Sequence, residues 1–166
     1  MKIRRTFLVL TIYLASLLLP GPLISTPLNT SGDSIQDVGA GLQWTRCVAG
    51  QAGPTCSGTP TLMNWGDSMA YCESLSQDGH TDWRLPTINE LRSIVDYSRE
   101  DPALDPIFPF GSSGEDVSVP HWSSTNHPSS SSSRYEFSMT LEFQLGTVDD
   151  MVKDSVNAAV RCVRTL

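Results

Sequence analysis

Apolar and polar residues alternate most regularly over residues 134–145. Every second position of this segment is apolar: Tyr135, Phe137, Met139, Leu141, Phe143 and Leu145. Because successive side chains of a strand point to opposite faces, the alternation predicts an antiparallel strand or bent hairpin with one face on the core. Gly146 and the pair Asp149-Asp150 predict a turn that follows it.

Three shorter segments also predict strands. Leu42 and Trp44 alternate with polar neighbours and predict a half-buried strand. A second strand is predicted over residues 117–125, centred on Trp122. The inward side chains of a predicted last strand are Ala158, Val160 and Cys162.

Two segments have the three-to-four-residue period of amphipathic helices. The first begins after Asn64, which is predicted to cap the helix with Asp67 three residues on. The second begins after Thr87, with Glu90 as its capping-box partner, and is expected to end near Tyr97. The apolar stripes are Trp65, Met69 and Cys72 in the first helix and Ile88, Leu91, Ile94 and Val95 in the second.

The predicted elements follow in the order strand, two helices, several strands. This order is typical of an α+β domain in which the two helices pack on an antiparallel sheet. Prolines at positions 102, 106 and 109 prevent helix continuation and predict a loop that includes residues 105–119. Five consecutive serines predict a second exposed loop over residues 126–133.

The first 25 residues have the pattern of a secretory signal peptide. Lys2, Arg4 and Arg5 precede an apolar run over residues 7–19, and this run is shorter than the ~20 apolar residues of a membrane-spanning helix. We expect residues 1–25 to be removed on export, with retention as an anchor as the alternative. Residues 26–38, which are mostly small and polar, are expected to form a flexible lead to one domain over residues 39–166.

Four cysteines in an exported chain predict disulfide bonds, because oxidising compartments preserve them. Cys47 and Cys56 flank a loop with Gly and Pro that can bring their sulfur atoms together. This pairing leaves Cys72 on the first helix to bond Cys162 on the last strand. Zinc is the disfavoured alternative, since the spacings contain no Cys-x-x-Cys pair. The disulfides place the protein in the secreted, periplasmic or cell-surface class.

Acidic residues outnumber basic ones, and this excess restricts the partner. Without the three basic residues of the signal segment, 8 basic and 18 acidic residues give a net charge of −10. Such a field repels nucleic acid and acidic membranes, so membrane contact is expected only through the signal segment before cleavage. Arg161 and Arg164, on either side of Cys162, are predicted to form at most a small basic patch.

Four motifs together indicate a family. They are Gly41-Leu42-Gln43-Trp44, Asp82-Trp83-Arg84-Leu85-Pro86-Thr87 with Glu90-Leu91, Trp122-Ser123-Ser124-Thr125 and Val160-Arg161-Cys162-Val163-Arg164. In this order they resemble the Lcl C-terminal domain family over about residues 37–164. The resemblance implies a fold similar to that of C-type lectins, in an exported bacterial domain that adheres or binds a ligand at the cell surface.

The motif that begins at Asp82 has a structural interpretation. Trp83 and Leu85 precede a capped helix and are expected to pack against its first turn, with Arg84 holding carboxylates or carbonyls. The complete predicted structural motif is Trp83, Arg84, Leu85, Pro86, Thr87 and Glu90. The chain lacks the Glu-Pro-Asn, Gln-Pro-Asp and Trp-Asn-Asp triplets of calcium-using lectins, so no metal is expected.

Catalytic motifs are incomplete. Two Gly-Asp-Ser triplets end at Ser34 and Ser68, but none of the three histidines has the Asp three residues before it that a Ser-His-Asp centre of this type needs. All four cysteines are assigned to bridges, which leaves no reactive thiol. We therefore predict no enzymatic activity and no cofactor.

The remaining functions are binding and assembly. The main prediction is an exported module that recognises a neutral glycan or a protein at a cell surface through the loops at 105–119 and 126–133. The candidate ligand-binding residues are Trp122, Asn126, His127 and Arg134. The alternative is a structural module that forms a homo-oligomer, or joins another surface protein, through an apolar sheet edge.

Overall fold

A computed structural model describes residues 28–111, 114–128 and 136–166. Its elements are β1 (Asn29–Ser31), β2 (Ser34–Asp37), β3 (Leu42–Thr45), α1 (Trp65–Ser74), α2 (Ile88–Ser93), α3 (Glu115–Ser118), β4 (Pro120–Asn126), β5 (Phe137–Glu142), β6 (Thr147–Val152) and β7 (Val163–Thr165). The strands form two antiparallel sheets, ordered β1-β2-β3-β7 and β4-β5-β6. The predicted α+β class is confirmed, with the strands divided between two sheets. The predicted signal segment, residues 1–25, lies outside the described residues.

The N-terminal hairpin corrects one prediction. Residues 29–37 form β1 and β2 rather than a flexible lead. Ile35 is fully buried and pairs with Trp44 of β3, while Gly32, with φ of +58°, occupies the two-residue turn. This stretch joins the sheet although it is mostly polar. The buried side chain of Ile35 and a hydrogen bond from Gln43 Nε2 to Ser34 Oγ (2.6 Å) anchor it there.

Both predicted helix starts are confirmed. Asn64 Oδ1 accepts from the Asp67 amide at 2.9 Å, and Thr87 with Glu90 forms the complete capping box of α2. However, α2 ends at Ser93, before the predicted end near Tyr97. The chain leaves the helix there because Val95 pairs with Leu104, and the Asp96 amide donates to the Ala103 carbonyl at 2.8 Å.

The strand predicted over residues 117–125 begins later than expected. Val117 belongs to α3, and β4 starts only at Pro120. The Val117 carbonyl accepts from the Gln144 amide at 2.9 Å, outside the pairing pattern of β4 with β5. This contact holds the short helix against the end of β5.

The described part of the alternating segment, residues 136–145, contains β5 and a turn, and both faces of β5 are covered. Leu141 packs in a core cluster with Ile88 and Leu91 of α2. On the other face, Ser138 and Thr140 are also buried, with exposures of 0% and 1%. A second cluster, which includes Trp122 and Ala158, covers that face, so hydrophobic alternation alone did not predict its burial.

The C-terminal segment ties the two sheets together. Residues 158–163 are all buried. The last strand was predicted over the segment from Ala158 to Cys162, but the regular strand β7 begins only at Val163. The segment pairs at separate points with Met63, His121 and Arg84, so it has protein on both sides. Both predicted disulfides are confirmed, with Cα–Cα distances of 5.3 Å for Cys47–Cys56 and 5.6 Å for Cys72–Cys162. By loop entropy, the second contributes about 4–5 kcal/mol.

Helix length in the described part of the chain is modest. None of the helices there is long and apolar enough to cross a bilayer.

Candidate functional site

The motif at residues 82–90 combines buried apolar side chains with an internal set of polar bonds. Trp83 and Leu85 are 2% and 1% exposed, and the indole Nε1 donates to the His80 carbonyl at 3.2 Å. Arg84 donates to both carboxylate oxygens of Glu90, at 2.9 and 2.6 Å. The hydrogen bonds from Arg84 lower the pKa of Glu90. Since Glu90 also accepts from the Thr87 amide at 2.8 Å, one carboxylate links the motif to the start of α2.

The predicted basic patch around Cys162 is not present. Arg161 is 1% exposed, and its guanidinium donates to the carbonyls of Thr45 (2.9 Å) and Arg46. Burial lowers the pKa of Arg161 to about 10. Arg164 donates from Nε to Asp82 and from its terminal nitrogen to Gln43, each at 2.8 Å. One arginine is inside the core, and the other is neutralised at the surface.

Trp122 is not a ligand platform. Its side chain is 0% exposed, and its indole Nε1 donates to the Met63 carbonyl at 2.8 Å. The tryptophan lies in the second core cluster with Cys72 and Cys162. This corrects the prediction that Trp122 contacts a ligand, because a ring with no accessible surface cannot stack on one.

Asn126 and His127 lie in a cluster that we call the Asn126 corner, formed with Trp65, Asp150 and Lys153. Lys153 Nζ donates to Asn126 Oδ1 at 2.6 Å and lies 4.3 Å from the centre of the Trp65 ring. His127 Nε2 is 4.0 Å from Asp150 Oδ1. The groups that a ligand would use are thus engaged with one another. The fourth candidate, Arg134, lies outside the described residues.

Three cavities meet at the opposite end of the β4-β5-β6 sheet, and Ser118 lines all of them. We call them together the Ser118 groove. The first, of about 370 Å³, lies between Asp101, Phe110 and Gln144. The second, of about 140 Å³, lies between Thr140, Glu142 and Asp149. The third, of about 350 Å³, is lined by three residues of the 59–62 segment, by Ser118 and by Val119.

The walls of the first cavity are tied together by hydrogen bonds. The Asp101 amide donates to the Gln144 carbonyl at 3.2 Å, and Gln144 Nε2 donates to Asp101 Oδ1 at 2.8 Å. The buried carboxylate of Asp116 accepts from the Gly111 amide, at 3.2 and 3.0 Å. These contacts hold Phe110, which is 41% exposed, at the rim.

A neutral histidine supports the groove from behind. His121 is 1% exposed, its ring meets Phe143 edge-on at 4.7 Å, and its Nδ1 lies 3.1 Å from the Val119 carbonyl. Burial, followed by the charge of Arg161, lowers the pKa of His121 from 6.5 to about 3. At neutral pH the uncharged ring therefore donates from Nδ1 to the groove backbone.

The model of the Lcl C-terminal domain matches residues 33–164. The chain belongs to this family. No curated protein matches the chain at a significant level.

The matched range locates the domain on the structure. It starts in the turn between β1 and β2 and ends in β7, so it includes β2 to β6, most of β7 and both disulfides, and leaves out β1. Two disulfides are typical of a protein that folds in an oxidising compartment. The domain boundary predicted at residue 39 is too late, because β2 lies inside the matched range.

Sequence reasoning found only part of the groove of this Lcl C-terminal domain. The predicted loop at 105–119 supplies Phe110, Ser118 and Val119. Thr140, Glu142 and Asp149 were missed as site residues, because they come from β5 and β6. The available signal was the polar side of the alternating segment, on which Thr140 and Glu142 both lie.

Proposed function

We propose that this Lcl C-terminal domain is an exported, non-catalytic recognition module that binds a glycan or protein ligand at a cell surface through the Ser118 groove. The observation that carries the proposal is the set of three cavities around one exposed residue, on a frame held by two disulfides. Loops and strand ends on a rigid scaffold are common positions for binding residues.

The contacts of the two Gly-Asp-Ser serines support a non-catalytic role. Ser34 Oγ bonds to the Ser31 carbonyl and to Asp78, and Ser68 Oγ donates to the Asn64 carbonyl at 2.7 Å. Neither serine bonds to a histidine of the described residues, and a serine nucleophile needs such a base. Ser68 is moreover fully buried within α1.

The charge of the domain supports a neutral or cationic ligand. The net charge of residues 26–166 is −10, and the two arginines nearest Cys162 are buried or paired. Nucleic acid and sulfated polysaccharide would meet repulsion rather than a cationic surface.

The polar edges of the sheets argue against the alternative of self-assembly through an apolar edge. In the described residues, β1 is an outer strand with the sequence Asn-Thr-Ser, and β6 is an outer strand with Asp149 and Asp150 in its centre. Polar and charged residues on edge strands oppose edge-to-edge pairing.

Arrays of glycans and of extracellular-matrix proteins, probed with residues 26–166, test the proposal. Ser118→Trp fills the point where the three cavities meet. Ser93→Trp is the matched control, because Ser93 is also exposed and also ends a short helix. Thermal melts verify that both variants fold.

We expect array ligands that bind the wild type and Ser93→Trp and are lost with Ser118→Trp. Ligands retained by Ser118→Trp would contradict the groove as the site. A stable oligomer by light scattering, with no array ligand, would favour the assembly function instead.

A further inference from the structure

The second cavity of the groove has an unusual set of polar groups. Thr140 is 1% exposed and lines the cavity, yet its hydroxyl has no hydrogen-bond partner in the described part of the chain. A hydroxyl that lines a cavity and has no partner in the protein is free to bond to another molecule. The cavity therefore offers an unused hydrogen-bonding group at its base.

Two carboxylates lie beside that hydroxyl. Glu142 and Asp149 line the same cavity, and Glu142 Oε2 accepts from Thr147 Oγ1 at 3.1 Å. Neither carboxylate forms an ion pair with a residue that the structure describes. Two negative charges on neighbouring strands thus have no counter-charge among the residues that the structure describes.

The described lining of the groove contains acidic side chains but no basic ones. No Lys, Arg or His is among the described residues that line its three cavities, whereas Asp101 adds a third carboxylate in the first cavity. The charge of the groove complements a cation. An anionic ligand would leave its charge unpaired against these carboxylates.

The neighbouring cavities suit the remainder of a peptide. The partly exposed side chains of Phe110 and Leu62, each 41% exposed, lie in the first and third cavities on either side of Ser118. They offer apolar surface to the backbone and aliphatic parts of an extended segment. The 140 Å³ cavity has space for several water-sized groups, which is enough for a guanidinium or ammonium head.

We propose that the Ser118 groove binds a basic segment of a partner protein, with an arginine or lysine side chain inserted between Glu142 and Asp149 and bonded to Thr140. This inference rests on the proposed recognition function and specifies its ligand as a cationic peptide. A guanidinium fits the site because it only donates hydrogen bonds, and ionised carboxylates only accept them. A neutral glycan presents both donors and acceptors and no charge.

A labelled nonapeptide with two arginines and one leucine in a Gly/Ser context serves as the probe. Its counterpart carries citrulline, which has the shape of arginine without the charge. Binding is measured by fluorescence anisotropy at about 0.15 M salt. This salt concentration screens the attraction between charges more than roughly 8 Å apart. The protein is residues 26–166 as wild type, as E142Q/D149N, and as E73Q/D154N. The last variant changes the net charge equally at exposed residues outside the groove.

We expect the arginine peptide to bind the wild type and E73Q/D154N equally, and E142Q/D149N at least tenfold more weakly. Citrulline should weaken binding to the wild type by a similar factor. Equal losses in the two double variants would overturn the inference, since they would indicate attraction to the net charge alone. Array glycans that are lost with Ser118→Trp, without any binding of the arginine peptide, would overturn the inference and leave the recognition function standing.

Discussion

The two ends of the β4-β5-β6 sheet carry similar residue types but differ in how their polar groups are used. At the Asn126 corner, Lys153 bonds to Asn126 and covers the Trp65 ring, and Asp150 lies near His127. At the Ser118 groove, the carboxylates of Glu142 and Asp149 have no ion-pair partner in the described residues. The polar groups of the Asn126 corner contact one another. The two groove carboxylates have no such partner, and they are the groups that the proposed ligand would bind.

This difference separates structural from functional polar residues. A cation already over an aromatic ring removes that face from stacking with a sugar. An unpaired carboxylate beside a cavity adds little to folding and remains available for binding.

The largest expected effect concerns Trp122, on the core side of the sheet. Trp122→Ala removes a fully buried indole and its hydrogen bond to the Met63 carbonyl, and should lower the free energy of unfolding by about 3–5 kcal/mol. Denaturant melts measure the loss. A variant of unchanged stability that fails only to bind would show that Trp122 contacts the ligand after all.

The second effect is a dependence on pH through His121. The folded-state pKa of about 3 is lower than the ordinary value of 6.5, so the unfolded state takes up a proton first as the pH falls. The neutral His121 therefore contributes fully to the free energy of unfolding above about pH 6.5, and this contribution is lost progressively towards pH 3. At pH 4 the loss is about 3 kcal/mol.

Unfolding of wild type and His121→Gln between pH 7 and pH 4 measures this contribution. The wild type should lose more stability over that range than the variant, because only the wild type has the buried histidine. The acid-sensitive carboxylates are the same in both proteins, so their contributions cancel. Parallel pH profiles would contradict the assignment of a buried neutral histidine behind the groove.

A smaller effect compares the two ends directly. Lys153→Met removes the cation over Trp65 and the bond to Asn126, and should cost about 1 kcal/mol. Glu142→Gln at the groove end should change stability by less than about 0.5 kcal/mol. Chemical denaturation of both variants decides the comparison, and a larger loss from Glu142→Gln would indicate that the groove carboxylates stabilise the fold.

The smallest expected signal is the retention of the domain on heparin. At about 0.15 M salt we expect none, because Arg161 is buried and Arg164 is paired with Asp82. Elution of residues 26–166 against a salt gradient measures it. Tight retention that Arg164→Gln abolishes would show that a local basic surface overrides the acidic groove.

Local signals in the sequence predicted much of the frame. The caps at Asn64 and Thr87 are set by residues three positions apart, and the disulfide partners follow from turn composition and the pairing that remains. These features depend on neighbours along the chain or on a small set of cysteines. Sequence patterns report such constraints directly.

Tertiary contacts decided the parts that were wrong. Ser138 and Thr140 are polar but buried, because the segment around Ala158 covers the second face of β5. The groove opens where that cover ends, beyond Thr140 towards Glu142 and Ser118. No local pattern indicates where one segment stops covering another, so the site required the structure.

Backbone amide shifts on titration with the arginine nonapeptide test most directly whether recognition occurs at the groove. We expect shifts at Ser118, Glu142 and Thr147, and unchanged amides at Asn126 and His127. The reverse pattern, with shifts confined to the Asn126 corner, would contradict binding at the groove.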